Sequence, residues 1–80
     1  MRLDKFLKVS RIIKRRTVAS TACSGGHVEV NGKVAKAGTP LKVGDIITIT
    51  FGERSSKFKV LELKEHVGKE DSSSLYEVVS

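Results

Sequence analysis

The side chains with the plainest chemistry are cations crowded at the start of the chain. Arg2, Lys5, Lys8, Arg11, Lys14, Arg15 and Arg16 stand against Asp4 alone, so residues 1–16 carry a net +6, equal to that of the whole 80-residue chain. Guanidinium forks grip phosphate oxygens in pairs and ammonium groups add point charge, so this density suits a polyanionic partner. From Leu61 onward Lys64 and Lys69 are outnumbered by Glu62, Glu65, Glu70, Asp71 and Glu77, a net of −3. A chain basic at one end and acidic at the other meets a polyanion in a preferred orientation. Charge alone leaves open a merely solvated surface.

The residues that would carry catalysis or bind metal are poorly placed. Cys23 is the single cysteine, so neither an internal disulfide nor a cysteine-based zinc set can be assembled, and a buried packing role is expected for it. His27 and His66 are far apart, without metal-ligand spacing or an acid–base partner. Gly25-Gly26 leads into a strand pattern rather than a helix, unlike the phosphate loops of nucleotide enzymes. The expectation is a binding protein with no cofactor. No apolar run approaches the roughly 18–20 residues of a membrane span, and the basic start lacks the apolar core of a signal peptide. A cytoplasmic protein with no membrane partner is expected.

The elements that must position the cations follow from periodicity. Leu3, Phe6 and Leu7 recur at helical spacing with Arg2, Lys5 and Lys8 on the opposite side, which predicts a short amphipathic helix. Ser10 to Lys14 reads as a connection. Val18, Ala19, Ala22 and Cys23 form the apolar stripe of a second helix, stopped by Gly25 and Gly26 as left-handed residues. The period then changes to alternation. Val28 and Val30, the Asn31-Gly32 turn and the run Val34–Ala37 predict a hairpin. Ile46–Phe51, Lys57–Leu63 and Leu75–Val79 predict further strands, with a polar, flexible segment from His66 to Ser74. The fold class expected is α+β, two N-terminal helices packed on a small, mostly antiparallel sheet of about four to five strands. Eighty residues fit a single domain, spanning 1–80, with a core over 1–50 and C-terminal strands over 51–80. Leu3, Phe6, Leu7, Val18 and Ala22 are expected in its core, and Asp4 in an ion pair with a neighbouring cation or at the helix N-terminus.

Arg2-Leu3-Asp4-Lys5, Ser10-Arg11, Arg15-Arg16-Thr17, Gly26 to Gly32, Ala35-Lys36 and Val43-Gly44-Asp45 together resemble the RNA-binding domain named after small-subunit ribosomal protein four. The resemblance covers roughly residues 1–50. Its physical counterpart is a corner between two helices on which Arg2, Lys5, Arg11, Lys14, Arg15 and Arg16 share a surface, with Arg15, Arg16 and Thr17 near the free amides of the second helix. The resemblance further implies that the hairpin borders the same surface, making Asn31, Lys33 and Lys36 secondary RNA contacts. Phe6, Phe51 and Phe58 lie in apolar patterns that read as core, so no aromatic platform for splayed bases is expected. The expected target is folded RNA read through phosphates and sugars. Neutralising six phosphates would cost on the order of a thousandfold in affinity between low and moderate salt.

In this domain family a separate domain often performs RNA modification or aminoacylation, and 80 residues leave no room for one. The opening Met1 to Arg11 and the Lys14-Arg15-Arg16-Thr17 run look closest to the RqcP family, short freestanding relatives of the ribosome-associated fifteen-kilodalton heat-shock protein. That relative is longer, with a basic C-terminal extension that this acidic tail does not match. The resemblance implies binding to large ribosomal subunits obstructed by peptidyl-tRNA, contact with rRNA and that tRNA, and support for C-terminal alanine tailing alongside RqcH. It implies that Arg2 and Arg16 are the principal RNA contacts. A monomer in solution is expected. The protein would act by positioning tRNA, not through chemistry of its own. Two other readings stay open: a protein-interaction adaptor working through Ile46 to Val79, and a regulatory subunit of a separate RNA-modifying enzyme.

Overall fold

Large apolar residues at helical spacing place α1 at Leu3–Val9, and the small residues Ala19, Ala22 and Cys23 form the inner stripe of α2 at Arg16–Ser24. The computed structural model describes residues 1–80. Strands β1 (Val28–Val30), β2 (Lys33–Val34), β3 (Ile46–Phe51), β4 (Arg54–Val60) and β5 (Tyr76–Val78) follow, the last preceded by a 3-10 turn at Ser72–Leu75. They form one antiparallel sheet in the order β2-β1-β3-β4-β5, so the architecture is the expected α+β arrangement with N-terminal helices. No helix is long and apolar enough to cross a membrane.

Register explains which side chains turn inward. Val28 pairs with Ile49 and Val30 with Ile47, while Ile47 also pairs with Phe58, so alternate residues of three strands share one face. That face joins Leu3, Phe6 and Leu7 of α1 and the small stripe of α2 in one buried cluster, closed by Leu41, Val60 and Leu75. Asn31 and Gly32 adopt φ of 53° and 83°, the pair of positive angles that the β1–β2 turn requires.

Several expectations need correction. Val18 is 48% exposed rather than core, because it lies at the edge of the Ala19, Ala22 and Cys23 stripe rather than in its middle. Phe51 is 50% exposed, although it keeps the alternation of Ile47 and Ile49. Only Gly26 takes a left-handed angle, φ 79°, whereas Gly25 has an ordinary helical φ of −80°. The strand expected over Val34–Ala37 stops at Val34, because the following backbone turns to α1: Leu3 and Asp4 donate their amides to the carbonyls of Thr39 and Ala37 at 2.9 and 3.1 Å. Strand β4 begins at Arg54 and ends at Val60, earlier at both ends than the apolar pattern implied. Part of the polar stretch before β5 is ordered as the 3-10 turn, with Ser72 and Leu75 buried.

Candidate nucleic-acid interface

The helix corner is organised by a carboxylate. Asp4, in the first turn of α1, is 4% exposed. Its Oδ1 accepts from Arg2 Nε at 3.2 Å and from the Lys5 amide at 2.8 Å, and its Oδ2 accepts from Arg16 Nε at 3.3 Å. Burial acts to raise the Asp4 pKa, but the Arg16 hydrogen bond, the Lys5 amide and the Arg16 and Arg2 charges outweigh it, leaving the carboxyl below its ordinary value. Each arginine is bound through Nε alone, and the side chains remain 57% and 50% exposed. Both terminal amino groups of each guanidinium are therefore left for another acceptor, in orientations fixed from behind.

The other cations differ in how free they are. Arg15 is the N-terminal boundary residue of α2, with extended backbone, no side-chain cap and no acid in the first helical turn, so the helix start presents uncapped amides beside Arg15, Arg16 and Thr17. Lys14 and Arg15 are exposed. Lys5 is held by Glu65 at 3.3 Å, which brings the acidic C-terminal part of the chain against α1. Glu65 also lines a cleft together with Lys8, Arg11, Lys14 and His66. Arg11 has φ 62°, at the position after the α1 cap where glycine is the usual residue. Ser10 is buried and braces this connection, its hydroxyl donating to the Leu7 carbonyl and accepting from the Ile12 amide.

The hairpin residues divide. Lys33 and Lys36 are exposed, and the loop carrying Lys36 is pinned to the start of α1, since the Lys36 amide donates to Thr39 Oγ1 and the Leu3 amide to the Thr39 carbonyl. That docking brings Lys36 toward Arg2 and Asp4. The Asn31 side chain is engaged internally, donating to Asp45 Oδ1 at 3.1 Å and accepting from the Ile46 amide at 3.0 Å. It fixes the hairpin against β3. Asp45 also accepts from the Lys42 amide, closing the turn expected at Gly44-Asp45.

Sequence reasoning passed over one pair. His27 and Phe51 stack with ring centroids 4.8 Å apart and planes at 23°. His27 Nδ1 lies 3.0 Å from the Thr50 carbonyl, which only accepts, so Nδ1 carries a proton and fixes the ring. Signals in sequence were the aromatic residue next to Gly52 at a strand end and a histidine after two glycines, neither sufficient alone. Cys23 is buried, and burial, joined by the Asp4 charge, pushes its thiol pKa up, away from reactivity. No group of three or more His, Cys, Asp or Glu side chains is placed to hold a metal ion.

The S4 domain family matches residues 1–47, the stretch that holds both helices, the Asp4 corner and the β1–β2 hairpin. This chain belongs to that family. Among its relatives, the RQC P-site tRNA stabilizing factor of Halalkalibacterium halodurans is 56% identical over 98% of this chain and 89% of the relative. The factor of the same name from Streptococcus pneumoniae is 54% identical over 100% of this chain and 91% of the relative. Of solved structures, the trimeric heat shock protein 15 of Vibrio cholerae superposes with a TM-score of 0.89 at 28% identity, covering 100% of this chain and 82% of that one.

Proposed function

We propose that this protein is an RNA-binding factor of bacterial ribosome quality control that stabilises tRNA in the P site of obstructed large ribosomal subunits. It contacts rRNA and peptidyl-tRNA with Arg2, Arg16, Arg15, Lys14, Arg11 and Thr17, with Lys5, Lys33 and Lys36 at the margin and Asn31 fixing the hairpin. It acts in the cytoplasm as a monomer, by positioning rather than catalysis, and supports C-terminal alanine tailing of the stalled chain alongside RqcH. The names of the relatives at 54–56% identity support the tRNA-stabilising role.

The observation that carries the reading is the double engagement of Asp4. A carboxylate that binds two half-exposed guanidiniums by Nε aims their remaining donors outward in a fixed relation, which suits two phosphates held at a set spacing. A solvated surface would leave each arginine free to wander.

The test is sedimentation with large subunits that carry peptidyl-tRNA and with empty ones. The parent protein is expected to travel with the former, and Arg2→Ala and Arg16→Ala to be released, each with its circular dichroism unchanged. Normal sedimentation of both variants would overturn the interface, and equal binding to empty subunits would overturn the tRNA contact. Sequencing the tails of stalled chains in cells carrying Arg16→Ala then tests the role in tailing, with shorter alanine tails expected.

A further inference from the structure

We propose that the ridge formed by Phe51 and His27 holds an unpaired nucleobase of the RNA partner, adding a stacking contact to an interface otherwise built on phosphates. This rests on the RNA-binding reading above. Phe51 continues the inward parity of Ile47 and Ile49 but is the last residue of β3 and 50% exposed, so an aromatic side chain is left half open on a face that is otherwise core. Its partner ring is not free to turn away: His27 is fixed by its bond to Thr50 and lies close over Gly25, where an added Cβ would fall 2.9 Å from His27 Cδ2. The ridge is a preorganised pair of stacked rings.

Two grooves run along it, and Phe51 lines both. One, of about 360 Å³, lies toward α2 and is walled by Thr17, Val18 and Thr21. The other, of about 300 Å³, is walled by Ile12, Ile13 and Arg54. Charge points to the occupant. Arg54 lines the second groove itself, and the residues next in sequence to the groove walls are cations, Arg11 and Lys14 on either side of Ile12-Ile13 and Arg15-Arg16 before Thr17. Glu53 is the sole acid in the stretches 11–21 and 49–58. An apolar protein side chain would fill a groove without using these cations. A nucleotide uses both parts, its base against the rings and its phosphates against the guanidiniums, which is how single-stranded nucleic acid is held elsewhere.

The experiment compares Phe51→Ala, Phe51→Leu and Phe51→Tyr with the parent and with Arg16→Ala for binding to purified large subunits carrying peptidyl-tRNA across a salt series, with circular dichroism to confirm folding. Stacking predicts that Phe51→Tyr stays within about twofold of the parent, while Phe51→Ala and Phe51→Leu weaken binding about tenfold. Their salt slope is unchanged, because no phosphate contact is lost, whereas Arg16→Ala lowers it. Parental binding by Phe51→Leu would mean that apolar bulk suffices and would overturn the base contact in favour of a protein side chain. Parental binding by all three Phe51 variants, with Arg16→Ala still weakened, would overturn the ridge and leave the RNA reading standing. Binding insensitive to salt and to Arg16→Ala would overturn both.

Discussion

Asp4 and Arg16 lie on different helices, and the 3.3 Å bond from Arg16 Nε to Asp4 Oδ2 is the ionic link that closes the α1–α2 corner. Asp4→Asn keeps the shape but removes the charge and offers an amide to a guanidinium edge. Because the carboxylate is buried while its arginines are half-exposed, the expected loss is about 1–2 kcal/mol rather than that of a fully buried pair. For a domain of this size that lowers the midpoint of thermal unfolding by roughly 4–15 °C. The same link fixes an acid limb. The Asp4 pKa in the fold lies below its ordinary 3.8, so its stabilisation is complete above that value and is lost as pH falls through the lowered one. Acid titration of the parent and of Asp4→Asn should converge below that window and diverge above it. Parallel curves would remove Asp4 from the account.

This link also marks where reading the sequence stops. Leu3, Phe6 and Leu7, Asn31-Gly32 and the Ile47–Ile49 alternation were legible because period and turn chemistry are local. That Asp4 would meet Arg16 as well as Arg2 depends on the crossing of two helices, and sequence offered only a neighbouring cation or the helix N-terminus. Val18 and Phe51 misled for a related reason. Phe51 obeys the inward pattern of β3 but is half-exposed as its last residue, and Val18 lies at the edge of the α2 stripe of which only Ala19, Ala22 and Cys23 are buried. The strand expected at Ala35–Ala37 was lost to non-local bonds with Leu3 and Asp4.

Arg11 provides a prediction in which stability and binding move in opposite directions. A side chain at φ 62° costs about 1–2 kcal/mol relative to glycine, of which the greater chain entropy of an unfolded glycine offsets part. Arg11→Gly should therefore stabilise the fold by up to about 1 kcal/mol in chemical denaturation, yet weaken RNA binding and lower its salt slope by about one. Asn31→Gly is the contrast. Its φ of 53° is similar, but its amide bonds Asp45 and Ile46, so that substitution should destabilise. Equal behaviour of the two would show that backbone angle alone decides.

Gly25 is set by a close approach, since its φ of −80° suits any residue. A Cβ there would lie 2.9 Å from His27 Cδ2 and 3.3 Å from the Thr21 carbonyl oxygen, so the imidazole must give way. Gly25→Ala is expected to cost on the order of 1 kcal/mol, to break the His27–Phe51 stack and to shift the Phe51 ring protons in NMR spectra. Unchanged ring shifts would mean that Thr21 rather than His27 absorbs the strain.

The pair between Lys5 Nζ and Glu65 Oε1, at 3.3 Å, joins the basic corner to the acidic part of the chain, and Glu65 is the carboxylate in a cleft otherwise lined by Lys8, Arg11, Lys14, His66 and apolar side chains. An exposed pair of this kind contributes little to folding, so Glu65→Gln should shift stability by less than about 1 kcal/mol. It should, however, release Lys5 and lift a negative charge from the cations around it. Binding to tRNA-bearing large subunits is then expected to strengthen about twofold to fivefold at low salt, and the gain to fade as salt rises and the Debye length contracts. A gain that persists at high salt would point to a contact made by the new amide instead. Unchanged binding at every salt concentration would mean that Lys5 stays outside the interface and that its ion pair with Glu65 only anchors the C-terminal segment to α1.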